Sequence, residues 1–249
     1  MSRTALAIVL AVLLAPNLRA AEPKQAAEKA AAAREAKAAA QAAAEDARRS
    51  AAAAAAAAKG AVKDDKTLLL FDGKSLDAWK ETNFAGAGEI KVEKGQIVVQ
   101  MGDSLTGITW KDAARLPKDD YEITLLAMKL KGDDFFCGLT FPVRDSHASL
   151  ILGGWGGTLV GLSSIDGLDA SENETTIYRK FEPNKWYKVR VRVAAGKIEA
   201  WVDDEQVIDV DMTDKKFSTR IEVDASRPLG IATYQVSAAF KGIEIRRLK

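Results

Sequence analysis

A single cysteine, Cys137, and a single histidine, His147, stand in 249 residues. One cysteine excludes an intramolecular disulfide, a thiolate zinc cluster and an iron–sulfur site, and one histidine weakens any chemistry that needs several imidazoles. No excess of either charge is present. Thirty-six basic residues face 35 acidic ones, for a net charge of +1, which gives no electrostatic reason to expect nucleic acid or an acidic membrane surface as a partner. The apolar run near the N-terminus, Ala5 to Ala15, covers eleven residues. A membrane-crossing helix needs roughly 20, so no transmembrane anchor is expected. Gly-x-Ser-x-Gly elbows, phosphate loops and dinucleotide fingerprints are also missing.

What is there falls into three stretches. Arg3, the apolar run, and Pro16, Asn17 and Arg19 ahead of the small pair Ala20 and Ala21 read as a secretory signal peptide over residues 1–21. The mature chain is then expected in the periplasm or outside the cell. No cysteine follows the run, which excludes a lipoprotein anchor. Residues 22–63 are mostly alanine with Glu, Lys, Arg and Gln, the best helix formers. Arg34, Gln41 and Arg48 recur every seven residues, as do Glu28 and Glu35. The stretch reads as a long helix. It is either a semi-rigid spacer or an alanine coiled coil through which the chain self-associates or docks to an envelope component; the octet Ala51 to Ala58 offers no knobs for tight packing.

Residues 64–249 hold the aromatic, β-branched and glycine content of a globular core, enough for one domain that needs no staples. Apolar and polar residues alternate here. Tyr187, Val189, Val191 and Val193 interleave with Lys188, Arg190 and Arg192; Gly196 turns the chain, and Ile198, Ala200 and Val202 follow the same rule. Similar runs recur at intervals of ten or so, Phe135 to Phe141 and Ala148 to Leu152 among them. About a dozen antiparallel strands in one domain imply an all-β fold of two packed sheets, a sandwich or jelly roll.

Within this domain, Leu70-Phe71-Asp72-Gly73-Lys74-Ser75-Leu76-Asp77-Ala78-Trp79 resembles the opening of the 3-keto-disaccharide hydrolase domain, a concanavalin-like jelly-roll family common in secreted bacterial proteins. The late hairpin from Lys185-Trp186-Tyr187 to Ala200-Trp201-Val202-Asp203-Asp204 and the final Phe240-Lys241-Gly242-Ile243-Glu244-Ile245 are similar to it as well. The resemblance implies a carbohydrate partner and, for active members, cleavage of glycosides oxidised at the third sugar carbon. The chain departs from the family where relatives commonly carry an Asn-Ser-Gly segment and a Tyr-Glu-x-Gln strand. It has Phe136-Cys137-Gly138-Leu139 and Ser149-Leu150-Ile151-Leu152 there, and Ala200 replaces a frequent histidine.

Cleavage of such a glycoside by elimination needs a base for the proton on the second carbon and a group that stabilises the enolate. His147 and Asp145 are the catalytic candidates, with Arg144 beside them as an anion-stabilising partner; a solvated hairpin turn is the plainer reading of Arg144-Asp145-Ser146-His147. Gly153, Gly154, Trp155, Gly156 and Gly157 offer a stacking indole among residues that let backbone approach a sugar closely. Asp166, Asp169 and Glu172 form an oxygen-rich stretch that fits a divalent cation such as calcium, or a solvated loop. Cys137, flanked by Phe136 and Gly138, reads as a buried core thiol, and Trp79, Trp186 and Trp201 as indoles that fill the sandwich. Two functions follow: a hydrolase or lyase on 3-keto-glycosides, and a non-catalytic glycan-binding or envelope protein.

Overall fold

The computed structural model describes residues 66–249 and, further toward the N-terminus, Ala33, Arg34, Lys37 and Gln41, which are helical and exposed. The signal-peptide reading, and the spacer or coiled-coil reading apart from those four positions, lie outside the described residues. Among the described residues no helix is long and apolar enough to cross a membrane.

Among the described residues fifteen strands, numbered in chain order, build two antiparallel sheets. One runs β13 (Glu205–Asp211), β12 (Lys197–Val202), β11 (Trp186–Ala194), β6 (Tyr121–Lys131), β15 (Ser237–Arg247), β4 (Gln96–Val99) and β3 (Ile90–Glu93), with β1 (Thr67–Leu69) also paired to β15. The other runs β10 (Ile177–Tyr178), β9 (Leu159–Ser163), β8 (Ser146–Gly153), β7 (Cys137–Val143), β14 (Gly230–Tyr234), β5 (Leu105–Trp110) and β2 (Trp79–Glu81). This is an all-β jelly-roll sandwich, as the alternation and the family resemblance lead one to expect.

The period-2 pattern decides what lies between the sheets. From the first sheet Ile123, Leu125, Val189, Val191, Ile198 and Phe240 point inward; from the second Ile108, Leu139, Phe141, Leu150, Leu162 and Ile231 meet them, and all are essentially inaccessible. Cys137 is buried here, and burial pushes its thiol up to about 12. The opening motif is framework. Asp72 Oδ1 accepts the Lys74 and Ser75 amides, Leu70 and Phe71 are buried, and the Trp79 indole donates to the Leu70 carbonyl at 2.7 Å while meeting Trp110 edge to face at 5.3 Å.

Trp186 and Trp201 do not share that role. Both alternate out of phase with the inward residues of their strands and lie on the outer face of the eight-stranded sheet. The Arg190 guanidinium covers Trp201 at 3.7 Å and the Lys241 ammonium covers Trp186 at 4.1 Å. The expectation that they fill the sandwich misplaced them by one step of the strand period.

Candidate functional site

β8 sends Ala148, Leu150 and Leu152 into the core, so His147, Ser149 and Ile151 face away from it. That outer face of the seven-stranded sheet is not bare. Ile151, Leu159 and Ala170 form a second apolar cluster with Phe135 packed against it. Ala170 belongs to the β9–β10 connection, which lies so close that a Cβ on Gly161 would come within 2.8 Å of the Ala170 carbonyl. Asn173 organises that connection: its amide donates to the Leu162, Leu168 and Asp169 carbonyls, and its oxygen accepts from the Thr175 amide and hydroxyl.

At one end of this face a cavity of about 460 Å³ opens. Its apolar lining is Leu105 and Tyr234 from the paired strands β5 and β14, Phe135 ahead of β7, Ile151 of β8, the β8–β9 turn residue Trp155, and Val223. Phe135 and Tyr234 stack with ring centres 6.0 Å apart. Val223 sits with Arg220 and Glu222 on a wall made by the two-turn 3-10 segment Ile221–Ser226 and the residue before it. Ser104 and Asp134 complete the lining.

Trp155 is held at φ 46°, ψ 59°, a left-handed conformation that bulky residues rarely adopt, between glycines that adopt it freely at Gly153 (φ 79°) and Gly156 (φ 86°). The turn presents the indole at the cavity with 44% of its surface exposed. Gly154 has a packing reason as well, because a Cβ there would lie 2.9 Å from Ile151.

The charges of the cavity are largely spoken for. The Arg220 guanidinium donates to both Glu222 carboxylate oxygens, at 2.9 and 3.3 Å, and to Asp169 Oδ2 at 2.7 Å. Pairing with Arg220 holds the Glu222 carboxyl below its ordinary value, which makes it a weak proton acceptor. Asp134 Oδ1 accepts the Phe135 amide at 2.7 Å, and Oδ2 has only a 3.4 Å contact with the Gly156 amide. Asp134 is therefore the carboxylate with an oxygen free to grip a ligand hydroxyl.

Of the residues singled out in the sequence, Trp155 lines the cavity and its four glycines shape the turn beneath it. Arg144 and Asp145 do not join them: they are the exposed two-residue turn between β7 and β8, and Asp145 is ion-paired with Lys118 at 2.9 Å. His147 lies on the outer face four residues before Ile151, about 13 Å along the strand, with the hydrogen-bonded pair Thr140 and Ser149 intervening. Burial first, then the nearby Arg227 charge, holds its imidazole below the ordinary value, and Asp224 opposes the shift. Nor does the structure gather Asp166, Asp169 and Glu172. Asp169 binds Arg220 and the Ser171 amide and hydroxyl, Asp166 accepts the Lys216 amide, and Glu172 is exposed. Among the described residues no three His, Cys, Asp or Glu side chains are placed to share a cation.

The 3-keto-alpha-glucoside-1,2-lyase-like domain matches residues 66–246, from β1 to the penultimate residue of the last strand. The chain belongs to this family. Among solved structures, the lyase-like domain is similar to the Crh5 transglycosylase in complex with NAG, at 13% identity over 74% of this chain and 85% of that one, with a TM-score of 0.51. It is similar to a Bacillus subtilis protein of unknown function with a galectin-like fold at 8% identity, covering 73% and 94% with a TM-score of 0.52. The carbohydrate binding module CBM66 from Bacillus subtilis follows at 15%, covering 68% and 95% with a TM-score of 0.47. The search of curated proteins found no match. The likeness to the transglycosylase and the galectin-like protein shows that the lyase-like domain shares their jelly-roll fold. Sequence reasoning had reached Trp155 but not Asp134, Phe135, Arg220 or Tyr234. The doublet Phe135-Phe136 was the one available signal, since neighbours on a strand face opposite ways and only one of the two can be core.

Proposed function

We propose that the lyase-like domain binds a glycoside in the cavity at the end of the seven-stranded sheet. The observation that carries this reading is the pairing of an exposed, conformationally forced indole, Trp155, with the open oxygen of Asp134 beside it. An indole covers the apolar face of a pyranose, and an acceptor at its edge takes the hydroxyls that ring that face. A partner of this kind agrees with the family match over residues 66–246.

A second reading, cleavage of a glycoside oxidised at the third carbon, is favoured by the family match over residues 66–246. In that reaction a base takes the proton on the second carbon, the carbonyl stores the electron pair as an enolate, and the bond from the first carbon to the leaving oxygen then breaks. The leaving alkoxide regains a proton. Asp134 is the carboxylate of the cavity not engaged by a guanidinium, and it is the residue we assign as base under this reading.

The two readings separate on one experiment. Wild-type protein and Trp155→Ala are titrated with a panel of glycosides and their 3-keto derivatives, with binding and free product both followed. Binding without product, weakened about tenfold or more in the variant, supports the first reading. Product release that Asp134→Asn abolishes supports the second. Affinity for glycosides equal in Trp155→Ala and wild type contradicts the first, and product release unchanged in Asp134→Asn contradicts the second.

A further inference from the structure

We infer that the cavity takes the aromatic aglycone of an aryl glycoside, with the sugar at its mouth against Trp155 and Asp134; this rests on the reading of the cavity as a glycoside site. The argument is a count of hydrogen-bond partners. A pyranose carries several hydroxyls, and each one buried without a partner is costly. The cavity offers few partners. Arg220 and Glu222 satisfy one another, Arg220 is engaged a third time by Asp169, and one Asp134 oxygen is taken by the Phe135 amide. What remains is the second Asp134 oxygen, the Ser104 and Tyr234 hydroxyls and the Trp155 indole N–H, set against the apolar side chains of Leu105, Phe135, Ile151 and Val223 and the Tyr234 ring. A sugar driven into that space would lose water and gain little; an aromatic ring has no hydroxyl to satisfy and matches the stacked pair Phe135 and Tyr234.

The mouth agrees with the interior. Trp155 exposes 44% of its surface and Tyr234 36%, and both line the cavity. Apolar side chains held at the edge of a cavity and left in water mark a surface waiting for an apolar ligand. Asp134, whose Oδ2 lies 3.4 Å from the Gly156 amide, keeps a carboxylate acceptor next to the indole.

The test uses phenyl and methyl glycosides of glucose, galactose and xylose, in both anomers, titrated calorimetrically into the full chain. For the sugar that binds, the phenyl glycoside should bind about tenfold more tightly than the methyl one, the order expected from burying one ring. Two variants on different elements of the cavity lining, Val223→Ser and Tyr234→Ser, each checked for an unchanged cooperative melt, should bring that ratio below about twofold. Phenyl and methyl glycosides of equal affinity, or a phenyl preference that neither variant reduces, overturn the inference and leave the glycoside reading standing. Binding of no glycoside of either kind overturns both.

Discussion

Arg220 donates to Asp169 Oδ2 at 2.7 Å across 51 residues of chain, joining the wall of the cavity to the β9–β10 connection that covers the sheet. The same guanidinium holds Glu222, so one side chain fixes the wall and withdraws a carboxylate from acid–base work. Arg220→Gln should let the Glu222 carboxyl rise back toward its ordinary value of 4.5. Carboxyl-carbon NMR titration of glutamate-labelled protein measures this directly. An unmoved Glu222 titration would show that the guanidinium is not what lowers it. The pair is partly exposed, so the effect on stability should be small, within about 1 kcal/mol.

The tryptophans divide into two kinds. Trp79 is buried and bonded to the Leu70 carbonyl, so Trp79→Ala should cost about 3–5 kcal/mol in urea unfolding. Trp155→Ala should change stability by under about 1 kcal/mol, because the residue is 44% exposed and belongs to neither apolar cluster. Equal losses in the two variants would mean that the Trp155 indole is part of the core.

His147 is the only histidine, and burial with the Arg227 charge keeps it harder to protonate in the folded chain than in the unfolded one. Below the ordinary value of 6.5 the unfolded chain therefore gains the proton first, and stability contributed by the neutral imidazole is lost as pH falls. The lowered carboxyls of Asp72, Asp145, Asp211 and Glu222 act only at more acidic pH, near the carboxylate range. Melting temperature should accordingly fall between about pH 7.5 and about pH 5.5 in wild type, and this fall should shrink in His147→Gln. An identical pH dependence in the variant would remove His147 as its cause.

Residues 1–63 are expected to be a removed signal peptide and a segment that the domain does not need. Native protein should have a mass that starts near Ala21 or Glu22, and residues 64–249 expressed alone should unfold in one cooperative transition. An intact Met1, or a truncated chain without a cooperative melt, contradicts the respective half of this expectation.

The sheets were legible in the sequence because inward residues recur with period two over long runs such as Tyr121 to Lys131 and Trp186 to Ala194. Trp186 and Trp201 were misjudged for a local reason: an indole reads as core unless one counts its parity against Val189 and Ala200, which puts both rings outside under Lys241 and Arg190. The site was legible only at Trp155, where glycines crowd one aromatic. Asp134, Phe135, Arg220 and Tyr234 come from segments far apart in the chain, and the sandwich alone brings them together. The family's opening motif, for its part, turns out to be an Asx turn and a buried indole. It specifies the fold and is silent on chemistry.

The most direct measurement is a map of amide and indole NMR shifts on titrating the bound glycoside into isotope-labelled protein. The expected result is that the Trp155 indole and the amides of Asp134, Phe135, Gly156, Glu222 and Val223 move together along one saturation curve, while His147, Trp186 and Trp201 stay still. Saturable shifts centred on His147, or on Trp186 and Trp201 across the eight-stranded sheet, with the Trp155 indole unmoved, would contradict the assignment of the cavity as the glycoside site.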